Sequence, residues 1–299
     1  MTSSLPVTTG PEWGFTSQSR IIERGGISWH VQISGSGPTL LLVHGTGASS
    51  HSFRRIIPML ARRFTVVAPD LPGHALSHSP SWFEPSLPIM AAALEELLLA
   101  LELEPHFAVG HSAGAAIVVR MVLERAIDPA LVIGLGAALT PLRGVVRALS
   151  VPAARLLAAA SDVIDLRVKS RARVERMIRS LGSVLDDEGI DAYHRLSEDP
   201  VHVAGVLAML ANWDIDAVAA ELPKLSVPVL LIAGASDRAV PLASQRNLMK
   251  RIPSVRLAVV RNAGHLLHEE RPDDVASLIL AEADRYPART ATTTRQGKR

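Results

Sequence analysis

The stretch Val109-Gly110-His111-Ser112-Ala113-Gly114 constrains this chain more than any other. A short apolar run, Pro105-His106-Phe107-Ala108-Val109, turns abruptly through Gly-x-Ser-x-Gly into a segment of helical character from Ala113. That pattern predicts a nucleophile elbow, a serine on a strained strand-to-helix turn with flanking glycines that leave room for tight backbone. The helix start behind Ser112 aims backbone N–H groups and a positive dipole end at developing negative charge. Three fixed positions in five arise by chance in long chains, so the elbow matters because of what accompanies it.

The first companion is Leu40-Leu41-Leu42-Val43-His44-Gly45-Thr46-Gly47, an apolar run ending in a glycine-rich loop. Beside an elbow, such a loop donates one oxyanion-hole N–H and the residue after the nucleophile donates the other. The backbones of Thr46 and Ala113 are therefore the expected donors; a plain tight turn is the alternative. The second companion is Val227-Pro228-Val229-Leu230-Leu231-Ile232-Ala233-Gly234-Ala235-Ser236-Asp237. A continuous apolar run reads as a buried parallel strand, and Asp237 follows it at the carboxyl edge, where α/β sites form. The third is Val255-Arg256-Leu257-Ala258-Val259-Val260, followed by Arg261-Asn262-Ala263-Gly264-His265. Ser112, Asp237 and His265 thus occur in the order expected of such a sheet. Ser112 would attack, His265 would take and return its proton, and Asp237 would fix the imidazole tautomer and stabilise the imidazolium.

Other polar residues have blander readings. His268, after Leu266-Leu267 and before Glu269-Glu270, looks like part of a helix start. His111 is expected to pack beside the elbow, and His44 to brace the oxyanion loop through a hydrogen bond, both close to a substrate pocket. Asp70, in Asp70-Leu71-Pro72-Gly73-His74, reads as a turn residue. After Leu131-Val132-Ile133 the chain runs Gly134-Leu135-Gly136-Ala137-Ala138 without a carboxylate, which adds weight to Asp237 as the acid.

From about Ile27 to Ala283 the chain resembles a serine α/β-hydrolase with a cap. More narrowly, five segments resemble the magnesium-chelatase accessory proteins of bacteriochlorophyll biosynthesis in phototrophic bacteria. They are Trp29-His30-Val31-Gln32, His44 to Ser52, Ala68-Pro69-Asp70-Leu71-Pro72-Gly73-His74, Gly110 to Ala116, and Met209-Leu210-Ala211-Asn212-Trp213-Asp214. Ala75 departs from the pattern, standing where many relatives carry a second small residue or glycine after Pro72-Gly73. The resemblance implies an α/β fold with a mostly parallel central sheet flanked by helices and a helical cap insertion. It also implies ester chemistry, with a tetrapyrrole-type substrate or a related metabolite, and magnesium chelatase as a partner.

The composition, 48% hydrophobic and 20% charged, suits a globular chain with a substantial core. We expect a hydrolase core over 21–139 and 217–286, a helical cap over 140–216, and flexible ends at 1–20 and 287–299, the latter basic. With no cysteine, disulfides and thiol catalysis are excluded. No window approaches roughly eighteen uninterrupted apolar residues, so no spanning helix is expected. Met1 to Gly14 lacks a basic stretch followed by an apolar one, so no export signal is expected and the cytoplasm is the expected location.

In the cap, Val174, Met177, Ile178, Leu181 and Leu185 recur at helical spacing. Met209 and Trp213 near its end would line the pocket or simply anchor the cap. From Arg143 to Arg179 nine basic residues face only Asp162, Asp165 and Glu175, a surplus of six in a chain of net charge +2. A solvated helix face explains such a run; the sharper reading is a surface for anions, namely a tetrapyrrole carboxylate, an acidic partner or peripheral contact with anionic lipid. No recognition helix or phosphate-cradling loop accompanies the charge, which argues against nucleic acid. His74 and His78 have zinc-pair spacing but follow a Pro-Gly turn and lack the accompanying glutamate, so no metal or cofactor is expected.

Three functions stand: a serine hydrolase of pigment synthesis, a general carboxylesterase or carbon–carbon bond hydrolase, and a non-catalytic porphyrin- or chelatase-binding module. An intact Ser/Asp/His set argues against the last. Serine at the elbow disfavours haloalkane dehalogenase or epoxide hydrolase chemistry, which in this fold calls for an aspartate nucleophile.

Overall fold

Eight segments of five to eight residues pair into one sheet in the computed structural model, which describes residues 18–141, 156 and 166–287. They are β1 (Ser19–Arg24), β2 (Ile27–Ser34), β3 (Thr39–Val43), β4 (Thr65–Pro69), β5 (Phe107–His111), β6 (Leu131–Leu135), β7 (Val229–Gly234) and β8 (Val255–Val260). Their spatial order is β1-β2-β4-β3-β5-β6-β7-β8. Only β1 with β2 and β2 with β4 run antiparallel; every other pairing is parallel. β5, β6 and β7 are buried at every residue, because apolar clusters cover both faces of the sheet. This is why these strands read as continuous apolar runs rather than alternating ones.

Helix α1 (Leu87–Ala100) opens with Pro88 in its first turn and buries Leu87, Met90, Ala91, Leu94, Leu97 and Leu98 along one stripe. It packs on α2 (Ala113–Leu123), the helix behind the elbow, whose small and β-branched residues lie against the sheet.

Between β6 and β7 come α3 (Arg171–Ser180), α4 (Asp187–Glu198), α5 (Pro200–Asn212) and α6 (Asp216–Glu221). The Asp186 side chain caps α4 through the Gly189 N–H, and Asp199 caps α5 through the Val201 and His202 N–H groups. The stripe expected from Val174 to Leu185 does not run along one helix. Gly182, at φ +85°, closes α3, and the Ser183 N–H donates back to the Ile178 carbonyl. Val174 and Ile178 are buried on α3, Met177 is 54% exposed, and Leu181 and Leu185 sit beyond the helix end. After β7 follow α7 (Leu242–Leu248), α8 (Leu267–Glu270) and α9 (Pro272–Ala283), the last with Asp273 and Asp274 against the positive end of its dipole.

The N-terminal strand starts at Ser19, inside the segment expected to be flexible. Most of 1–20, the tail beyond 287, and Arg143, Arg147, Arg155, Asp162 and Asp165 lie outside the described residues. Among the described residues no single helix is long and apolar enough to cross a membrane.

The topology locates the site. From β3 the chain moves to β4 on one side, then crosses to β5 on the other and continues outward. Ligands of open α/β sheets bind where that direction switches, at the carboxyl ends of the central strands. Register pairs Val43 with Gly110, so the loops after β3 and β5 lie side by side.

Candidate active site

Ser112 adopts φ +51°, ψ −117°, a region costly for a residue with a Cβ, on the order of 1–3 kcal/mol. Packing on both sides imposes it. The Ser112 N–H donates to the Leu135 carbonyl, and its own carbonyl accepts from the Ala115 and Ala138 N–H groups. A Cβ on Gly110 would stand 2.4 Å from the Cα of Ala115, and one on Gly114 would stand 2.2 Å from the Val43 carbonyl oxygen. Both glycines of the motif are therefore required by the close return of α2 over β5 and β3.

The loop after β3 lies directly against the serine: a Cβ on Gly45 would stand 3.0 Å from the Ser112 Cβ. His44 holds this loop. Its Nε2 accepts the Leu71 N–H at 2.8 Å, so Nδ1 carries the proton and donates to the Gly45 carbonyl at 2.8 Å. The Thr46 hydroxyl donates to the Met209 sulfur at 3.5 Å. Ala113, the first residue of α2, is buried behind Ser112.

Asp237 and His265 meet from the loops after β7 and β8. His265 Nδ1 lies 2.9 Å from Asp237 Oδ2, with both side chains buried. Asp237 Oδ1 accepts the Ala239 and Val240 N–H groups at 2.9 and 2.8 Å, which fixes the carboxylate's orientation. A neutral His265 that donates from Nδ1 keeps its Nε2 lone pair, the state a general base needs. Gly136 lies against the pair: a Cβ there would stand 3.1 Å from Asp237 Oδ2 and 3.2 Å from His265 Nδ1. The carboxylate-free loop after β6 is thus the wall on which the pair rests.

Contacts invisible to the sequence pin these loops. Glu270 accepts the Gly264 N–H at 2.9 Å with one oxygen and the Val184 N–H at 3.1 Å with the other. The Leu266 N–H donates to Ser183 Oγ at 2.8 Å, and the Arg238 N–H to the Leu181 carbonyl at 3.1 Å. The turn that closes α3 therefore ties both the Asp237 and His265 loops. Because most of these partners are backbone groups or a single glutamate distant in sequence, no side-chain pattern announces them.

Beside them, Glu269 is buried and accepts from Arg54 and from the Tyr193 hydroxyl of α4, the latter at 2.8 Å. Burial pushes its carboxyl up to about 7, against the opposing pull of the Arg54 guanidinium. Burial, then the Glu269 charge, pushes the Tyr193 phenol well above its ordinary range. Asp70 is more than a turn residue: fully buried, it accepts from the Ser50 N–H at 2.7 Å and the His30 ring at 2.8 Å. Burial pushes its carboxyl up, but the His30 ring and these hydrogen bonds outweigh it and hold Asp70 well below the usual range.

Buried neutral imidazoles surround the site. His111 Nε2–H donates to the His265 carbonyl at 3.0 Å, and burial followed by the neighbouring histidines lowers its basicity strongly. His268 packs 4.5 Å from the His111 ring and falls to about 3, and His202 to about 4, both mainly through burial.

A cavity of about 440 Å³ opens over the serine. Its floor includes Thr46, Gly47, His111, Ser112 and His265, and its roof is built from α3, α4 and α5. Of the four residues expected at the pocket, His111 lines it. His44 lies beneath the loop it braces, Met209 is fully buried behind Thr46, and half-buried Trp213 packs against the main apolar core; none of these three lines the cavity. Tyr193 and His202 line it, and no motif marked either.

The chain matches the alpha/beta hydrolase family over residues 40–278. It is 38% identical over 273 residues, 90% of this chain and 95% of the relative, to the magnesium-chelatase 30 kDa subunit of Rhodobacter capsulatus. It is 28% identical over 301 residues, 93% of this chain and 98% of the relative, to haloalkane dehalogenase 2 of Mycobacterium tuberculosis. A thermophilic esterase from Thermogutta terrifontis superposes with a TM-score of 0.75 at 22% identity, covering 96% of this chain and 100% of that one, a likeness of fold. The chain therefore belongs to the alpha/beta hydrolase family and, within it, to the family of the magnesium-chelatase 30 kDa subunit.

Proposed function

We propose that this protein is a serine hydrolase that cleaves an ester by acyl transfer and serves bacteriochlorophyll synthesis alongside magnesium chelatase. One observation carries the chemistry: a strained elbow serine opens onto the same cavity as a histidine whose Nδ1 proton is held by a buried carboxylate. Ser112 Oγ attacks the ester carbonyl while His265 Nε2 takes its proton. The oxyanion forms against the Thr46 and Ala113 N–H groups, where one such donor is worth about 10²–10³ in rate. His265 then protonates the departing alcohol, and water, deprotonated by the same imidazole, releases the acid and restores the serine. Asp237 keeps the proton on Nδ1 throughout. Similarity to a dehalogenase does not extend to its chemistry, because this elbow carries serine and not aspartate.

The pathway assignment rests on the relative named as a chelatase subunit. That name also favours a second reading, a binding module without catalysis. The two separate in a deletion strain complemented with Ser112→Ala. Pigment intermediates that accumulate as they do in the empty deletion support hydrolysis, and full restoration of pigment supports the module.

A further inference from the structure

We infer that the substrate of this site presents an uncharged aliphatic chain, of roughly 12–18 carbons, that fills the cavity between the serine and the three roofing helices. The inference rests on the serine-hydrolase reading for its chemistry, but on the cavity alone for its chain.

Size comes first. A cavity of about 150 Å³ holds one benzene, so 440 Å³ has room for about three such volumes, or up to roughly 18 carbons. A tetrapyrrole with its side chains exceeds that volume and would not be enclosed whole.

Wall chemistry comes second. α3 contributes Val174 and Ile178, α4 Leu196, and α5 Val203, Val206 and Leu207. Among the described lining residues there is no Asp, Glu, Lys or Arg. Among the described lining residues the titratable groups, apart from His265, are His111, His202 and Tyr193. Burial keeps the two imidazoles unprotonated and the phenol protonated near neutrality, so none supplies a counter-charge. A carboxylate drawn into such a space would lose its hydration without gaining a partner.

Charge placement comes third. None of the cations of α3 is among the described lining residues: Arg173, Arg176 and Arg179 are exposed, and Arg171 is engaged with Asp187 and Asp191. The roof helix thus turns an apolar face to the cavity and a basic face outward, so anion attraction operates outside the pocket.

The test measures kcat/KM for p-nitrophenyl esters from acetate to hexadecanoate, together with a dodecanoate bearing a terminal carboxylate. Dodecanoate should exceed acetate by about a hundredfold or more, since burial of each methylene favours binding. The ω-carboxylate should fall at least about tenfold below plain dodecanoate. Dodecyl acetate, with the chain on the alcohol, shows which half of the ester occupies the cavity. Val206→Trp, which fills the space, should move the optimum to shorter chains. Binding of dodecyl acetate to the Ser112→Ala protein, followed by calorimetry, is read independently of turnover. Saturable binding with no hydrolysis of any ester by the wild type would sink the hydrolase reading and leave the chain site standing. A flat or acetate-favouring acyl profile together with no preference for dodecyl acetate over ethyl acetate, or equal acceptance of the ω-carboxylate, would overturn the inference, as would an absence of binding.

Discussion

His265 Nδ1 lies 2.9 Å from Asp237 Oδ2, and two backbone N–H groups hold the other carboxylate oxygen. Asp237→Asn keeps an oxygen and the shape, yet offers the imidazole an amide that does not enforce the same tautomer. Ester turnover should fall by about 10⁴ while circular dichroism and the thermal midpoint change little. A loss smaller than about tenfold would remove Asp237 from the proposed chemistry.

Gly136 is the wall against which that pair rests. At φ +49°, with only 3.1 Å between a new Cβ and the Asp237 carboxylate, Gly136→Ala combines backbone strain with crowding. We expect a stability loss on the order of 1–3 kcal/mol and a fall in kcat larger than any change in KM. An active variant of wild-type stability would show that the pair tolerates displacement.

Glu269 gives a pH signature. Its folded-state carboxyl is raised to about 7 from an ordinary value of 4.5, with burial the main cause. The fold favours the protonated form, so this contribution is whole below about pH 4.5 and is lost as pH rises to about 7. Between about pH 5 and pH 8 the wild type should lose on the order of 1–3 kcal/mol relative to Glu269→Gln, which cannot ionise. The slope of Tm against pH is the readout, because the variant also leaves Arg54 without its buried partner. Parallel slopes would refute the assignment.

The basic residues of α3 divide by structure. Arg171 joins Asp187 and Asp191 across to α4, so Arg171→Glu should lower the melting temperature. Exposed Arg173 and Arg176 have no ion pair among the described residues, so reversing both should leave stability and turnover of p-nitrophenyl acetate nearly unchanged. If these two recruit an anionic partner or ligand, its binding weakens in the double variant, and the difference shrinks at high salt. Collapse of acetate turnover in that variant would mean that these arginines organise the roof.

The sheet and the elbow were legible because both are written in local pattern. Continuous apolar runs mark buried parallel strands, and Gly-x-Ser-x-Gly encodes a turn in which a Cβ on either glycine would meet neighbouring backbone at under 2.5 Å. His44 was legible as a brace because a histidine beside a glycine-rich loop has few other uses. The roof was read less well. Helical spacing implied one stripe through Leu185, whereas Gly182 ends the helix early and turns the next residues onto the His265 loop. Met209 and Trp213 were expected to line the pocket or anchor the cap, and neither lines the cavity. The rotation of α5, which periodicity alone does not give, turns Met209 inward, and Trp213 lies just past the helix end against the core. Glu269 with Tyr193, and Glu270 with the Val184 N–H, are paired across long stretches of sequence, so only the folded arrangement shows them together.

The central claim is that Ser112 is a nucleophile activated by His265, and its most direct test is labelling by a fluorophosphonate, with the adduct mapped by mass spectrometry. The wild type should gain one adduct on the peptide carrying Ser112, the Ser112→Ala protein none, and His265→Ala should label more slowly by several orders of magnitude. Equal labelling of wild type and Ser112→Ala, or an adduct on another residue, would contradict it.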